Sequence, residues 1–299
     1  MIKAVIDIGT NSTRLFVAKI KENKLNTILK MLSTTRLGEG ILSSPFMLEK
    51  AMERTSDKVK EFVLIAKEQG AQEIYVYATA VVREAKNKDV FKKMILDKTG
   101  IELDIISGQT EGEIAFLGSA SGFENPAVID IGGGSTEVVT KTNGVLSALS
   151  LKTGGVRLKE QFETPSGIID IAPIKEFLLK NYIPQYMDST DIKNAKTLIG
   201  VSGTPTTLLS LSLGLKEYSP SKIQNGIFLK KDLDDILYRL ASLTKDKRRE
   251  FSGDFKERAD IIVFGGCILS SFMEYYNFDN IVVSDRDSLE GYLIKKATE

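Results

Sequence analysis

The chain contains no histidine, no tryptophan and a single cysteine, Cys267. Without an imidazole, Ser-His-Asp and Cys-His nucleophilic triads are excluded, as are zinc proteases and other His-ligated metal centres. One cysteine makes neither a disulfide framework nor a thiolate zinc site. Charge of one sign is also lacking: 40 Lys and Arg balance 40 Asp and Glu, which removes a global electrostatic case for nucleic acid or anionic membrane as partner. No apolar run approaches the ~18 residues of a membrane span. The start, Met1-Ile2-Lys3-Ala4-Val5-Ile6-Asp7, sets charges in a short apolar stretch, unlike a signal peptide. A soluble, cytoplasmic protein is expected. Any chemistry falls to carboxylates, hydroxyls, Lys, Arg and backbone amides.

What is present is a repeat. Residues 6–17 read IDIGTNSTRLFV and residues 129–140 read IDIGGGSTEVVT, identical at six of twelve positions. Such self-similarity at one offset points to two copies of a supersecondary unit. Each copy continues through an apolar run, a polar turn (Lys21-Glu22-Asn23-Lys24, then Asn143-Gly144) and a second run, which predicts a three-stranded antiparallel meander. Helical spacing follows over Leu48–Ala66 with a stop at Gly70, then a strand over Glu73–Ala78, a helix over Asp89–Thr99 and a strand over Glu102–Ile106. In the second half helices are expected over Ile174–Met187, Leu208–Leu215, Lys231–Leu243, Cys267–Tyr276 and from Ser288, with strands at Thr197–Val201 and Ile281–Ser284. At roughly 150 residues per domain, 299 residues allow about two. The reading is two ββββαβα-like halves joined near Gly118–Pro126.

A strand ending in Asp-Ile-Gly with a tight turn into the next strand suits an anion, because glycine lets backbone amides approach its oxygens. The donors would be Gly9, Thr10, Asn11, Ser12 and Thr13 in the first loop, and Gly132, Gly133, Gly134, Ser135 and Thr136 in the second. One such loop alone reads equally as a ligand-free glycine hairpin; two matched ones favour phosphate. A third segment, Gly200–Thr207, leaves a strand and opens a helix, with Gly203 and Thr204 placed for an anion at the helix N-terminus. The competing reading is an N-cap by Ser202 or Thr204.

These segments, with Ala78–Ala85, Ile106-Ser107-Gly108 and Glu111, Gly154–Leu158, Arg258-Ala259-Asp260 before Gly265-Gly266, and Ser284-Asp285-Arg286 before Glu290-Gly291, occur in the order and spacing of the exopolyphosphatase and guanosine pentaphosphate phosphatase (Ppx/GppA) family. The chain resembles its short two-domain form over essentially its whole length. The resemblance implies an α/β, duplicated actin-like ATPase (ribonuclease H-like) fold of two lobes with a central phosphate-binding cleft. Lobe I would be residues 1–119 plus a C-terminal helix of about 288–299, and lobe II residues 120–287. It implies hydrolysis of the terminal phosphoanhydride of polyphosphate or pppGpp with Mg²⁺ or another divalent cation. Glu111 would be the general base for water, and Arg14 and Arg83 would grip phosphate. Asp130 would act in catalysis, with Asp7, Asp130 and Glu137 as metal acids.

Each assignment has a plainer counterpart. Thr110-Glu111-Gly112-Glu113 reads as a capping box with Thr110 at N-cap, the arginines as surface ion-pair partners, and Glu137 as a solvent-facing strand residue. Lys152, Arg157, Lys245, Lys247, Arg248 and Arg249 either guide a polyanion or form a solvated face. The sequence departs from the family pattern at Thr110, where the first Glu of Ser-Gly-x-Glu-Glu-Ala stands, and at Asp287-Ser288-Leu289, where Gly-Leu-Arg is usual. The expected partners are the polyphosphate or guanosine pentaphosphate substrate, with no nucleic acid and no membrane, and a homodimer is allowed. The rival functions are a kinase or ATPase of the same fold, and a non-enzymatic polyphosphate or alarmone sensor.

Overall fold

The structure, a computed structural model, describes residues 1–21, 24–142, 144–186 and 192–298. The expected turn residues Glu22, Asn23 and Asn143, and Met187 at the end of an expected helix, lie outside the described residues. Two compact units result: Met1–Gly118 with Ser288–Glu299, and Ser119–Asp287.

The first unit starts with strands β1 (Ile2–Ile8), β2 (Thr13–Lys21) and β3 (Lys24–Ser33), followed by α1 (Glu49–Glu68), β4 (Glu73–Ala78), α2 (Ala80–Glu84), α3 (Lys88–Thr99), β5 (Leu103–Ile105) and α4 (Gly108–Ser119). The first three strands form the expected antiparallel meander, and β4 and β5 add in parallel, giving the order β3-β2-β1-β4-β5. A helix follows the third strand directly, so the half reads βββα rather than the ββββα start expected. Glycine closes α3, Gly100 taking the left-handed φ of 72° that ends a helix cheaply.

Strand alternation gives the sheet two unlike faces. Ala4, Ile6, Ile8, Leu15, Val17, Val76 and Ala78 pack with α1 and α3 residues Val59, Phe62, Phe91 and Ile95. The other face carries Val5, Phe16, Ala18 and Tyr77. It is covered by Ile114 of α4 and by Leu289, Tyr292 and Leu293, which belong to the last helix of the chain, described below.

In the second unit β6 (Pro126–Ile131), β7 (Thr136–Thr142) and β8 (Val145–Leu151) repeat the meander. Helices α5 (Gly155–Phe162) and α6 (Ile171–Asn181) precede β9 (Thr197–Val201), α7 (Gly203–Ser212) and α8 (Pro220–Ile223). Then come β10 (Gly226–Leu229), α9 (Lys230–Ala241), α10 (Lys245–Ser252), α11 (Ile262–Tyr276) and β11 (Asn280–Val283). The helix α12 (Ser288–Thr298) returns to the first unit. The second sheet runs β10-β11-β9-β6-β7-β8. Every residue of α11 from Ile262 to Met273 is buried, the pattern of a core helix rather than an amphipathic one. The expected duplicated α/β fold is thus present, with the second copy enlarged by β10, β11 and the helices around them. Among the described residues, no helix is long and apolar enough to cross a membrane.

Candidate phosphate sites

Both Asp-Ile-Gly loops fold alike. The Gly9 amide donates to Ser12 O and the Gly132 amide to Ser135 O, each at 3.0 Å. A Cβ on either glycine would lie 3.1 Å from that same serine carbonyl, which is why glycine stands at both. The loop carbonyls are then drawn away by a second segment. In the first unit the amides of Arg36 and Gly38 donate to Asn11 O and Thr10 O, both at 2.8 Å. In the second, Gly155 N reaches Gly132 O at 3.0 Å, Val156 N reaches Gly133 O at 2.9 Å, and Arg157 Nε reaches Gly134 O at 2.7 Å. Fixing carbonyls on one side presents a loop's amides on the other, the arrangement that binds anions. The seats are tight: a Cβ on Gly38 would meet Thr10 Cγ2 at 2.2 Å, and one on Gly154 would meet the Gly133 backbone at 2.6 Å. The pair Gly154-Gly155 was a readable signal for this seat. Nothing comparable marked Arg36, whose φ of 48° is unusual for a side chain of that size.

The strand ends are matched in register but differ in charge. Asp7 pairs with Arg14 across β1 and β2, and Asp130 pairs with Glu137 across β6 and β7. Arg14 donates from Nε (2.9 Å) and Nη2 (2.6 Å) to Asp7 Oδ2. Ser202 Oγ donates to Asp130 Oδ2 at 2.9 Å, and Ser150 Oγ to Glu137 Oε1 at 2.6 Å. Glu137 is 1% exposed, so the solvent-facing alternative does not hold. Among the described residues, no group of three or more Asp, Glu, Cys or His converges as a ready metal cage. Asp130 and Glu137 nevertheless fit a hard cation as donors, being two buried neighbouring carboxylates. Mg²⁺ commonly takes one or two carboxylates and completes its shell with water and substrate oxygens.

Glu111 and Arg83 meet within the first unit. Arg83, on the short α2 after β4, donates from Nη1 to Glu111 Oε2 at 3.1 Å and to Ile106 O at 3.0 Å. Glu111 is buried, 9% exposed, in the first turn of α4. The capping box expected from Thr110 is corrected. The helix begins at Gly108, Ser107 Oγ accepts the Thr110 amide at 3.0 Å, and Glu113 bonds Gln109 instead. Ser107 lies three residues earlier and satisfies the same capping rule, so Thr110 becomes the third helical residue.

At the start of α7, neither expected hydroxyl caps the helix. Ser202 spends its Oγ on Asp130, and Thr204 donates to Ile131 O at 3.2 Å. Ser202 sits at φ 66°, ψ −164°, a region that is nearly glycine-only and costs of order 1–3 kcal/mol. The Arg258 guanidinium lies directly over Gly203, where a Cβ would be 1.8 Å from it. Sequence reasoning quoted Arg258 without a role and offered Ser202 only as an N-cap, not as the partner of Asp130. Arg248 leaves the set of surface cations. It is 2% exposed and donates to the carbonyls of Leu240, Gly167 and Leu243, which makes it a bolt inside the second unit. A separate cavity of about 360 Å³ in the first unit, walled by Leu37, Ile41, Phe46 and Met47, contains no predicted site residue.

Comparison with known proteins agrees with this geometry. A bifunctional 3-dehydroquinate synthase/phosphatase of Fusobacterium nucleatum is 33% identical over 98% of the chain, which spans 46% of that longer protein. Exopolyphosphatase 2 of Mycobacterium tuberculosis is 27% identical, with 98% of each chain covered. The crystal structure of the Aquifex aeolicus Ppx/GppA family member superimposes with a TM-score of 0.81 at 27% identity, covering 100% of this chain and 98% of that one. The sequence profile of the Ppx/GppA phosphatase family matches residues 16–299, and the chain belongs to that family.

Proposed function

We propose that the chain hydrolyses the terminal phosphoanhydride of inorganic polyphosphate or guanosine pentaphosphate, releasing orthophosphate. The observation that carries this reading is the contact of Glu111 with Arg83 at 3.1 Å. A buried carboxylate held by a guanidinium has the fixed orientation that a general base toward water requires. Arg83 and Arg14 would neutralise the oxygens of the transferring group, as bidentate donors do in phosphoryl transfer. The amides of Gly9–Ser12 in the first unit, and those of Gly132–Ser135 with Gly203 and Thr204 in the second, would each hold phosphate oxygens.

Asp130 and Glu137 are the acids we assign to a divalent cation, with Asp7 the poorest of the three because Arg14 already bonds it. Mg²⁺ bound there supplies charge neutralisation to the phosphate oxygens. Like charges facing each other across two strands repel, and a cation relieves that repulsion.

Phosphate release measured with polyphosphate, pppGpp and ATP separates the readings. A hydrolase of this kind liberates phosphate from the first or second, an ATPase prefers ATP, and a sensor binds without turnover. Glu111→Gln should bind polyphosphate normally and lose about a thousandfold in kcat, within the usual range for a general base. Unchanged turnover removes Glu111 from that role.

A further inference from the structure

Three of the contacts of Arg14 lie on the face of the first sheet that α12 covers. Two of them, from Nε and Nη2, converge on one oxygen of Asp7. A guanidinium shared between acceptors on different elements keeps its plane. An acceptor on another element is Ser288 Oγ, 3.0 Å from Arg14 Nη2. Ser288 is the first residue of α12 and is buried.

The hydroxyl is itself fixed. Tyr77 OH lies 3.2 Å from the same Oγ. The Tyr77 ring is fully buried and stacks on Tyr292 with centroids 4.7 Å apart. Tyr292 OH in turn donates to Asp104 Oδ2 at 3.0 Å. Strand register explains why these groups can meet: Asp7 pairs with Arg14 on one side and with Tyr77 on the other, so all three point to one face.

We infer that Ser288 is a positioning residue for Arg14, setting the plane in which the guanidinium meets a phosphoryl group. The inference rests on the proposed role of Arg14 in phosphate binding. Its signature is a change in turnover that disappears when the fork is removed. In phosphate release from polyphosphate, Ser288→Ala should lower kcat about tenfold with KM altered less than about twofold. Ser288→Thr, which restores the hydroxyl, should recover most of the loss and controls for folding. Tyr77→Phe keeps the ring and should give a smaller loss of the same kind. In an Arg14→Lys background, which keeps charge without the fork, Ser288→Ala should add less than about twofold.

Wild-type kcat in Ser288→Ala beside an impaired Arg14→Lys overturns this inference alone. The same loss from Ser288→Ala in both backgrounds also overturns it, because the residue then acts on the fold at large. Wild-type turnover in Arg14→Lys removes the arginine fork from the reaction and this inference with it. A wild-type chain that releases no phosphate overturns the proposed function as a whole.

Discussion

In the first unit the strand-end carboxylate Asp7 faces a cation, Arg14; in the second, Asp130 faces an anion, Glu137. The two rows share register, loop geometry and the amide-to-serine bond, so one exchanged residue separates them. The first row is internally neutral and offers a guanidinium. The second accumulates negative charge and suits a cation. Duplication has supplied two equal frames, and a single position has given them complementary electrostatics.

The comparison is broken most severely by Glu137→Arg, which writes the first row into the second. Turnover should fall about a thousandfold or more, the scale of losing a major electrostatic contact to the transition state. The melting temperature should stop rising with Mg²⁺, although the new arginine can pair with Asp130 and keep the unit folded. At a hundred times Kd, bound Mg²⁺ should stabilise the wild type by about 2.7 kcal/mol. Asp7→Asn should keep that response and Glu137→Gln should lose it; calorimetry with and without chelator reads all of them. An equal response in all variants places the cation elsewhere.

A smaller effect separates the two loop seats. Gly154→Ala drives a methyl into the Gly133 backbone and should cost about a hundredfold in kcat/KM, as a displacement of about 1 Å can. Gly38→Ala meets chiefly the methyl of Thr10. It should cost about tenfold, and adding Thr10→Ser should restore much of it. Failure of that rescue means the first loop is held by its backbone as rigidly as the second.

The smallest expected signal is a silence. Burial pushes the Cys267 thiol up to about 12, so at pH 8 the native chain should not react with a thiol reagent. Labelling that appears on denaturation then reports opening of the second unit alone, since Cys267 lies in α11. Rapid labelling of the native chain contradicts the burial.

Much of this was legible beforehand. The repeated Asp-Ile-Gly motif predicted both meanders, and strands Glu73–Ala78 and Thr197–Val201 formed with the expected bounds, because short β-rich runs between helices leave little choice of element. The exchange of Arg14 for Glu137 was visible in the aligned motifs, but its meaning needed the register that sets each opposite an Asp. Arg248 was illegible for a different reason. One of its carbonyl partners, Gly167, is 81 residues away, and nothing local separates such an arginine from its exposed neighbours. Ser202 likewise carries no local sign of its positive φ, which tertiary contacts impose.

The return of α12 to the first unit has a consequence in time. Arg14 and Ser288 are 274 positions apart, whereas residues 119–287 form one uninterrupted unit. Long-range closure is slow because its chain entropy is lost before contacts repay it. During synthesis the second unit can therefore complete itself first, while the Phe16 and Tyr77 face of the opening sheet waits for the cover that Leu289, Tyr292 and Leu293 bring. The clamp on Arg14 cannot form until all of residues 119–287 have been made.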